Sequence, residues 1–444
     1  MARHTIERNA AAPAVSKTRR LAQTVATKVT TVFLGATASV VISHSLHPQG
    51  RGAYYVVTTI AATAIILGGL SIDRAQITLW THTANRPGVT ANSVLLGLGI
   101  GVLAAAAAAA IVLGLGPDVV PVQSYGLLAI ALPAVPAGTT IIYVLNVLTL
   151  RSRMDAVNRS YLLGALTQCV PLIALGVSGQ LTVRWVIIIW SIAMGMPLVA
   201  LLPALRGSSP VVSLPLARRT MSLGLRYHAG TAAYYLLLRA DIFILNALEP
   251  TTAAVGLYSL AVTLAELTKL LTDSVIPIMM PAQVEAGEGR AVTVTVATVR
   301  MSVLVSLASV AAMCLAAPAL IPLVYGPTFR GTTSALLALA PGLLALGAAN
   351  PLSTYLLRLS RPLSMSAMFF SAMAVNIGLN LALIPRLGIV GASLASSIAY
   401  TVLAAVQTVW FVKVTRIRVR QLAPGPGEIR LLRTRLPQLA PAHR

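Results

Sequence analysis

Five charged side chains stand inside two long apolar stretches in the second half of the chain. Arg239 and Asp241 lie in the first stretch, and Glu266, Lys269 and Asp273 lie in the second. A charge at the centre of a membrane-spanning helix costs about 2.5–3.5 kcal/mol even on the lenient insertion scale. Such residues are rare unless they line a polar cavity or pair across helices. We therefore expect these five side chains to line a substrate cavity.

The spacing of the five charges indicates which of them share a helix face. Glu266, Lys269 and Asp273 follow an i, i+3, i+7 pattern and lie on one face, whereas Arg239 and Asp241 point in different directions. An arginine suits bidentate binding of phosphate, and a lysine acts as a point charge. A second interpretation is that Glu266 and Asp273 neutralise Lys269 and join neighbouring helices. Glu266 is the carboxylate that we expect to serve a proton- or sodium-coupled cycle.

The composition indicates a membrane protein. Of the 444 residues, 57% are hydrophobic and 10% are charged, whereas a soluble domain carries about 25% charged residues. Apolar runs long enough to cross a bilayer as helices recur along almost the whole chain, and the alternation typical of a membrane β-barrel is absent from the sequence. The expected spans are residues 29–43, 53–70, 93–115, 121–148, 160–178, 185–205, 227–247, 253–279, 301–321, 333–357, 364–384 and 391–412.

The net charge of +22 reflects membrane topology rather than nucleic-acid binding. With the N-terminus inside, most of the 33 Lys and Arg residues fall at the inner face, and the outer-face set is Arg51, Arg184, Arg330 and Arg386. This asymmetry follows the positive-inside rule and predicts twelve spans with both termini cytoplasmic. The basic C-terminal tail is expected to lie against anionic membrane lipids, each cation contributing about 1 kcal/mol.

The chain divides into two halves that repeat each other. Residues 46–48 (LHP) recur as 248–250 (LEP), and residues 52–54 (GAY) recur as 256–258 (GLY). Six spans per repeat is an even number, which predicts two parallel six-helix lobes with the substrate path at their interface. The expected segments are a disordered cytoplasmic N-terminus (1–20), a first lobe (21–206), a cytoplasmic linker (207–220), a second lobe (221–413) and a basic cytoplasmic tail (414–444).

Several of these runs resemble a known family. Residues 237–261 (LLRADIFILNALEPTTAAVGLYSLA), 320–329 (LIPLVYGPTF) and 376–393 (NIGLNLALIPRLGIVGAS) resemble the second half of O-antigen-type polysaccharide flippases, and residues 46–54 (LHPQGRGAY) resemble the first half. These flippases belong to the multidrug, oligosaccharidyl-lipid and polysaccharide exporter superfamily. The resemblance implies two six-helix lobes in a V that open alternately to either side. Twelve spans rather than fourteen argue against the lipid II flippase branch.

The resemblance also implies a function and its partners. It implies movement of a lipid-linked oligosaccharide or polysaccharide precursor across the plasma membrane, with a glycan polymerase and glycosyltransferases as further partners. Such a precursor carries phosphate and many hydroxyl groups, which do not cross hydrocarbon unaided because each unpaired polar group costs several kcal/mol. Arg239 and Lys269 are the cations we expect to bind the phosphate.

The sequence offers little sign of an enzyme. No run resembles a phosphate-binding loop, the histidines are not at metal-ligand spacing, and Cys169 and Cys314 lie in separate apolar runs. We therefore expect a chain that is not an enzyme and has neither a cofactor nor a metal site. Two alternatives to the flippase stay open: a cation-coupled exporter of drugs or other small molecules in the same superfamily, and a non-transporting membrane scaffold for glycan assembly.

Overall fold

The computed structural model describes residues 14–116, 123–206, 211–249, 251–274, 288–359 and 362–425. Over these ranges the chain is built from helices and their connections, with no β-strand. The α-helices of the described chain are α1 (Ala14–Gly68), α2 (Ile72–Trp80), α3 (Arg86–Leu115), α4 (Gln123–Ala131), α5 (Ala134–Leu150), α6 (Met154–Val177), α7 (Val183–Gly195), α8 (Pro197–Ala204), α9 (Leu214–Leu248), α10 (Thr252–Asp273), α11 (Glu288–Tyr325), α12 (Thr332–Arg358) and α13 (Pro362–Thr415).

The helices account for twelve membrane spans. Ten helical segments within the described ranges are long and apolar enough to cross a membrane. Two of these segments, Ala22–Trp80 with 59 residues and Leu363–Thr415 with 53, are of double length. At about 1.5 Å per residue each extends well beyond twice the roughly 30 Å hydrocarbon core, so each supplies two spans. The prediction of an all-α polytopic membrane protein with twelve transmembrane helices is confirmed.

Both double-length helices are kinked at residues with positive φ. In α1 the kink is at His47 (φ 53°, ψ −179°), directly before Pro48. A proline disfavours helical geometry in the residue that precedes it, so the helix breaks there and restarts at the proline. In α13 the kink is at Gly388 (φ 54°, ψ −132°), where the absence of a Cβ permits the left-handed region. Each kink separates two consecutive spans.

The chain forms two compact units. The first unit comprises Met1–Leu46 and Val57–Leu225, and the second comprises His47–Val56 and Arg226–Arg444. The division near residue 225 lies close to the expected start of the second lobe at residue 221. The segment His47–Val56 differs from expectation, because the sequence assigned it to the first lobe and it packs within the second unit.

The N-terminal region and the linker are more helical than the sequence suggested. Helix α1 begins at Ala14, so residues 14–20 are helical rather than disordered, while residues 1–13 lie outside the described chain. Helix α9 begins at Leu214, which shortens the expected linker of residues 207–220. Its residues 207–210 are also outside the described chain.

The start of the basic tail is attached to the second unit. Helix α13 ends at Thr415 and a short 3₁₀ helix follows at Val419–Leu422. The Arg300 Nε donates a hydrogen bond of 2.7 Å to the Gln421 carbonyl oxygen. The rest of the expected tail, residues 426–444, lies outside the described residues.

Neutral polar groups join the helices of the first unit. The Asn146 amide of α5 donates to the Gln76 Oε1 of α2 at 2.8 Å, and the Gln76 amide donates to the Ser93 Oγ of α3 at 2.8 Å. Gln76 and Ser93 are each 1% exposed. We call Gln76, Ser93 and Asn146 the amide network. Interhelical hydrogen bonds of this kind hold apolar spans together, because hydrocarbon supplies no hydrophobic force between them.

Small residues bring helices α12 and α13 of the second unit into close contact. A Cβ added to Gly342 would lie 2.5 Å from the Ser397 Cα, so a larger residue has no room there. The Gly342 N–H donates to the Ser397 Oγ at 2.7 Å. This close packing fixes α13 against the bundle and places Ser396 next to the charged residues of α9.

Candidate functional site

The candidate site in the second unit is built on a contact between two glycines. A Cβ on Gly52 would lie 1.8 Å from the Thr252 carbonyl oxygen, and a Cβ on Gly256 would lie 1.8 Å from the Pro48 carbonyl oxygen. The Thr252 hydroxyl also donates to the Gln49 carbonyl at 3.0 Å. We call this contact the glycine crossing. It presses the backbone of residues 48–52 of α1 against the start of α10, and side chains just beyond it are forced together.

Arg51 lies at this crossing and is buried. Its Nε donates to the Ser259 Oγ at 3.1 Å and its Nη2 donates to the Thr263 Oγ1 at 3.2 Å. Arg51 is 4% exposed. The sequence placed it in an outer loop, and that assignment is wrong: the second span was started at residue 53, whereas the helix resumes at Pro48. Proline is well suited to the first turn of a helix, so it marks the restart rather than the end of the loop.

Arg239 and Glu266 form an ion pair between α9 and α10. The Arg239 Nη1 also donates to the Tyr55 Oη at 2.8 Å. The Arg239 side chain is 22% exposed and the Glu266 side chain is 49% exposed, so the pair lies at an accessible edge of the unit. Glu266 therefore pairs with Arg239, and not with Lys269 as one sequence interpretation had it.

Lys269 and Asp273 form a second ion pair, one helical turn further along α10. The Lys269 Nζ lies 2.5 Å from the Asp273 Oδ2, and both side chains are about one-third exposed, at 27% and 31%. The Asn350 amide donates to the Asp273 Oδ1 at 2.8 Å, and the Tyr234 hydroxyl donates to the Asn350 Oδ1 at 3.4 Å. Beside the pair is a small polar cavity of about 10 Å³, room for roughly one water molecule.

Asp241 is separate from these two pairs. It is 1% exposed and accepts hydrogen bonds from the Tyr258 hydroxyl, from the Ser396 Oγ at 3.0 Å and from the Ile242 N–H at 2.9 Å. The sequence prediction that Asp241 and Arg239 point in different directions agrees with these separate partner sets. Full burial among hydrogen-bond donors of α10 and α13 gives Asp241 a structural position.

Four of the five predicted residues therefore lie along one face of α10 together with Arg51. We call this face the polar track; it consists of Ser259, Thr263, Glu266, Lys269 and Asp273, with Arg51 and Arg239 docked against it. Their spacing of three or four residues keeps them on one side of the helix over roughly 20 Å. The track brings three cations into line.

Two contributors to the track were missed at the level of the sequence. Arg51 was assigned to a loop, and Tyr55 was not singled out. The internal repeat held the missing signal, because residues 52–54 match residues 256–258 and the latter begin a helix. Equivalent positions in a repeat belong to equivalent elements, so Arg51 should also have been placed within a helix.

Comparisons with known proteins support the fold. No protein-family model matches the chain, and no curated protein matches it. Solved structures do match. A lipid II flippase, MurJ, in an inward closed conformation is similar with a TM-score of 0.73 and 12% identity, over 90% of this chain and 88% of that one. At 12% identity this similarity concerns the fold, which the resemblance to the exporter superfamily implied, and it does not test the expectation about the lipid II branch.

Two other solved structures show the same architecture. An inward-facing multidrug resistance transporter of the MATE family is similar with a TM-score of 0.67 and 16% identity, over 88% of this chain and 95% of that one. A MOP superfamily transporter from Pyrococcus furiosus has a TM-score of 0.60 and 16% identity, over 91% and 94%. The MOP superfamily is the exporter superfamily that the sequence motifs resemble. The chain therefore has the fold of MOP-superfamily flippases and multidrug transporters.

Proposed function

We propose that this protein is a flippase that moves a lipid-linked oligosaccharide or polysaccharide precursor across the plasma membrane by alternating access. The observation that carries the proposal is the polar track, along which Arg51 of α1, Arg239 of α9 and Lys269 of α10 itself line up on one face of α10. A flippase must replace the water around a phosphate and around sugar hydroxyls with protein groups, since hydrocarbon offers none. A row of cations and hydroxyl groups along one helix face supplies partners for the phosphate and for the sugar hydroxyls.

Arg239 is the proposed phosphate ligand. Its side chain is partly accessible, and the contacts to Tyr55 and Glu266 leave further N–H donors of the guanidinium for a ligand. A phosphate would compete with the Glu266 carboxylate for the same planar group, and bidentate geometry favours either partner equally well. Glu266 then acts as the counter-ion that holds Arg239 between substrates.

An export assay on single variants tests this role. Arg239→Ala should lower export of the glycan by about 10–100-fold, because a charge-assisted hydrogen bond is lost from the bound substrate. Arg239→Lys should retain part of the activity, since the charge remains. The matched control is Arg226→Ala, an exposed arginine on the same helix, which should export normally. Protein abundance in the membrane is measured for all three. Full export by Arg239→Ala would rule out this phosphate-binding role.

The fold similarity to a multidrug transporter favours a second candidate, a cation-coupled exporter of small molecules. That function would depend on carboxylates rather than on cations. Under it, Glu266→Gln should abolish drug export, while Arg239→Ala alone should leave drug export largely intact. Under the flippase proposal the Arg239 variant is defective whether or not Glu266 is present. Cells expressing each variant are scored for drug resistance and for surface glycan in parallel.

The orientation in the membrane belongs to the proposal as well. We propose that both termini and the linker around residues 207–220 are cytoplasmic, as the positive-inside rule requires. Reporter fusions after Ala217 and after Arg444 should indicate a cytoplasmic location, and a fusion after Gln49 should indicate a location outside the cytoplasm. An inverted result at any of these sites would contradict the proposed topology. A glycan polymerase and glycosyltransferases are the proposed partner enzymes.

A further inference from the structure

The first unit contains a cavity that the proposed function has not used. It lies between the N-terminal part of α1 and the start of α6 and has a volume of about 410 Å³. Sites for small ligands measure about 300–1,000 Å³. A smaller cavity of about 100 Å³, which shares Gln23, Asp155 and Asn158 with the first, extends it.

Each of the two helices presents one face to this cavity. The α1 contribution is Gln23, Thr27 and Thr30, and the α6 contribution is Asp155, Asn158 and Arg159. Spacings of three, four and seven residues keep the α1 group on a single side of its helix, and Asn158 and Arg159 follow Asp155 by three and four residues on α6. The helices touch where the Asn158 amide donates to the Thr24 hydroxyl at 3.1 Å. Amide, hydroxyl, carboxylate and guanidinium groups thus face one space.

The charged side chains at the cavity are two arginines and one aspartate, and all three are accessible. Asp155 lies 3.5 Å from the Arg153 Nε and 3.8 Å from the Arg159 Nη2. The side chains of Arg153, Asp155 and Arg159 are 49%, 51% and 77% exposed, so the pairs are weak and open to exchange with a ligand. Asp155 supplies a hydrogen-bond acceptor, which a sugar hydroxyl group uses and a fully ionised phosphate does not. A neutral ligand with many hydroxyl groups meets both donors and acceptors instead.

We propose that this cavity binds a sugar of the lipid-linked glycan before translocation. Asp155 and Asn158 would accept hydrogen bonds from sugar hydroxyls, while Arg159 and Gln23 would donate to ring or acetamido oxygens. The cavity lies beside Lys28, Arg153 and Arg159, at the face that the positive-inside rule assigns to the cytoplasm, where such a precursor is available. This inference rests on the proposed function and adds the recognition of the sugar, separate from binding of the phosphate at the polar track.

Binding measurements on the full chain in phosphatidylglycerol nanodiscs test the inference. One probe is a polyprenyl diphosphate that carries N-acetylglucosamine, and the second is the same polyprenyl diphosphate without sugar. The wild-type chain should bind the sugar-bearing probe about 10-fold more tightly, the effect of one or two hydrogen bonds to charged groups. Asn158→Leu and Asp155→Asn should each remove most of this preference and change the affinity for the sugar-free probe by less than about 2-fold.

Two control variants separate this inference from the proposed function. Arg206→Ala removes an exposed cation just beyond α8 in the same unit and should retain the preference. Arg239→Ala should weaken binding of both probes equally and also retain the preference. An Arg239→Ala chain that exports normally would count against the proposed function. The sugar site is tested separately, by the sugar preference of the Asn158→Leu and Asp155→Asn variants.

A second measurement keeps the inference testable if a variant folds poorly. In a chain whose own cysteines are changed to alanine (Cys169→Ala and Cys314→Ala), Ala26→Cys at the wall of the cavity should react with a water-soluble maleimide, and the sugar-bearing probe should slow this labelling about 5-fold or more. The sugar-free probe should not. Equal protection by both probes, or an undiminished sugar preference in Asn158→Leu and Asp155→Asn, would overturn the assignment of the cavity to a sugar.

Discussion

Two sets of helix contacts, one in each unit, use different chemistry. In the first unit, α2, α3 and α5 are connected by the neutral amide network, whose central side chain, Gln76, is 1% exposed. In the second unit, α9 and α10 are connected by the Arg239–Glu266 ion pair. A charge in a membrane helix costs several kcal/mol, whereas a neutral amide with partners costs far less.

The comparison of the amide network with the ion pair shows which interactions are needed to hold the helices together. The amide network indicates that neutral hydrogen bonds suffice to hold spans of this chain in contact. The charges of the polar track therefore need another reason to be present, and binding of an anionic substrate provides one. The four predictions below test that contrast, beginning with the variant that should have the largest effect.

The first prediction neutralises most of the polar track. The triple variant Glu266→Gln, Lys269→Gln and Asp273→Asn keeps shape and hydrogen bonding and removes three charges. Lys269 and Asp273 lose their charges together, and Arg239, which is 22% exposed, keeps its hydrogen bond to the Tyr55 Oη when Glu266 becomes Gln. The protein should therefore fold and reach the membrane at normal abundance. Export should nevertheless fall to background, since the phosphate loses Lys269 and the counter-ion of Arg239. Surface glycan and protein abundance are measured together.

The opposite outcome of that experiment is equally informative. A triple variant that exports like the wild type would mean that Lys269 and its two neighbours act as the amide network does, joining helices without contacting substrate. The polar track and the amide network would then differ in chemistry but not in their role, which would be to join helices. A folded but inactive triple variant would also count against a non-transporting scaffold, because a scaffold does not need these charges.

The second prediction concerns the glycine crossing that positions the track. Gly256→Ala places a Cβ about where the Pro48 carbonyl oxygen now lies, at 1.8 Å. The new Cβ is fixed to the backbone of α10 and the carbonyl oxygen belongs to the backbone of α1, so the two helices must separate. Arg51 would then lose its hydrogen bonds to the Ser259 and Thr263 hydroxyl groups. We expect a lower melting temperature and export reduced by about 10-fold or more, as the overpacking of a tight contact costs roughly 1–3 kcal/mol.

The control for the glycine crossing is a glycine-to-alanine substitution at a position where the added Cβ meets no neighbouring atom. A Cβ on Gly99 of α3 meets no atom within 4 Å, so Gly99→Ala should leave melting temperature and export unchanged. A normal melting temperature for Gly256→Ala would show that the close approach of α1 and α10 is not required in the folded protein.

The third prediction asks whether Arg51 belongs to the track. The Ser259 hydroxyl donates to the Gly256 carbonyl at 2.7 Å and the Thr263 hydroxyl donates to the Ser259 carbonyl at 2.8 Å, so both stay satisfied without Arg51. Arg51→Met should therefore fold well. Export should decrease by about 10-fold if Arg51 attracts the phosphate, and Arg51→Lys should recover part of it. Unchanged export by Arg51→Met would mean that Arg51 joins α1 to α10 and does not attract the phosphate.

The sequence predicted the fold more fully than the site. Long apolar runs and the charge asymmetry identified the spans, because membrane insertion depends on composition averaged over about 20 residues. It also singled out Arg239, Glu266, Lys269 and Asp273, since charges within apolar runs are conspicuous, and their role in transport stays a prediction.

The partners of these charges could not be predicted. Glu266 pairs with Arg239, which lies 27 positions away on another helix, and helical spacing speaks only for neighbours on the same helix. Arg51 was missed because a proline and a kink hide the start of its helix. Asp241 was placed in the cavity because of its charge, and its hydrogen bonds from α10 and α13 depend on tertiary packing.

The last prediction has the smallest effect and tests the other side of the contrast. Asn146→Leu removes the donor to the Gln76 Oε1 and should cost about 1 kcal/mol of stability, because a buried acceptor loses its partner. The double variant Gln76→Met and Asn146→Leu should recover most of that loss, since replacing both partners by apolar groups of similar size is nearly neutral. Export should stay within about 2-fold of wild type in both, measured beside thermal unfolding in detergent. Loss of export in a stable double variant would place the neutral network, like the polar track, in the transport mechanism, and would remove the distinction between the two units.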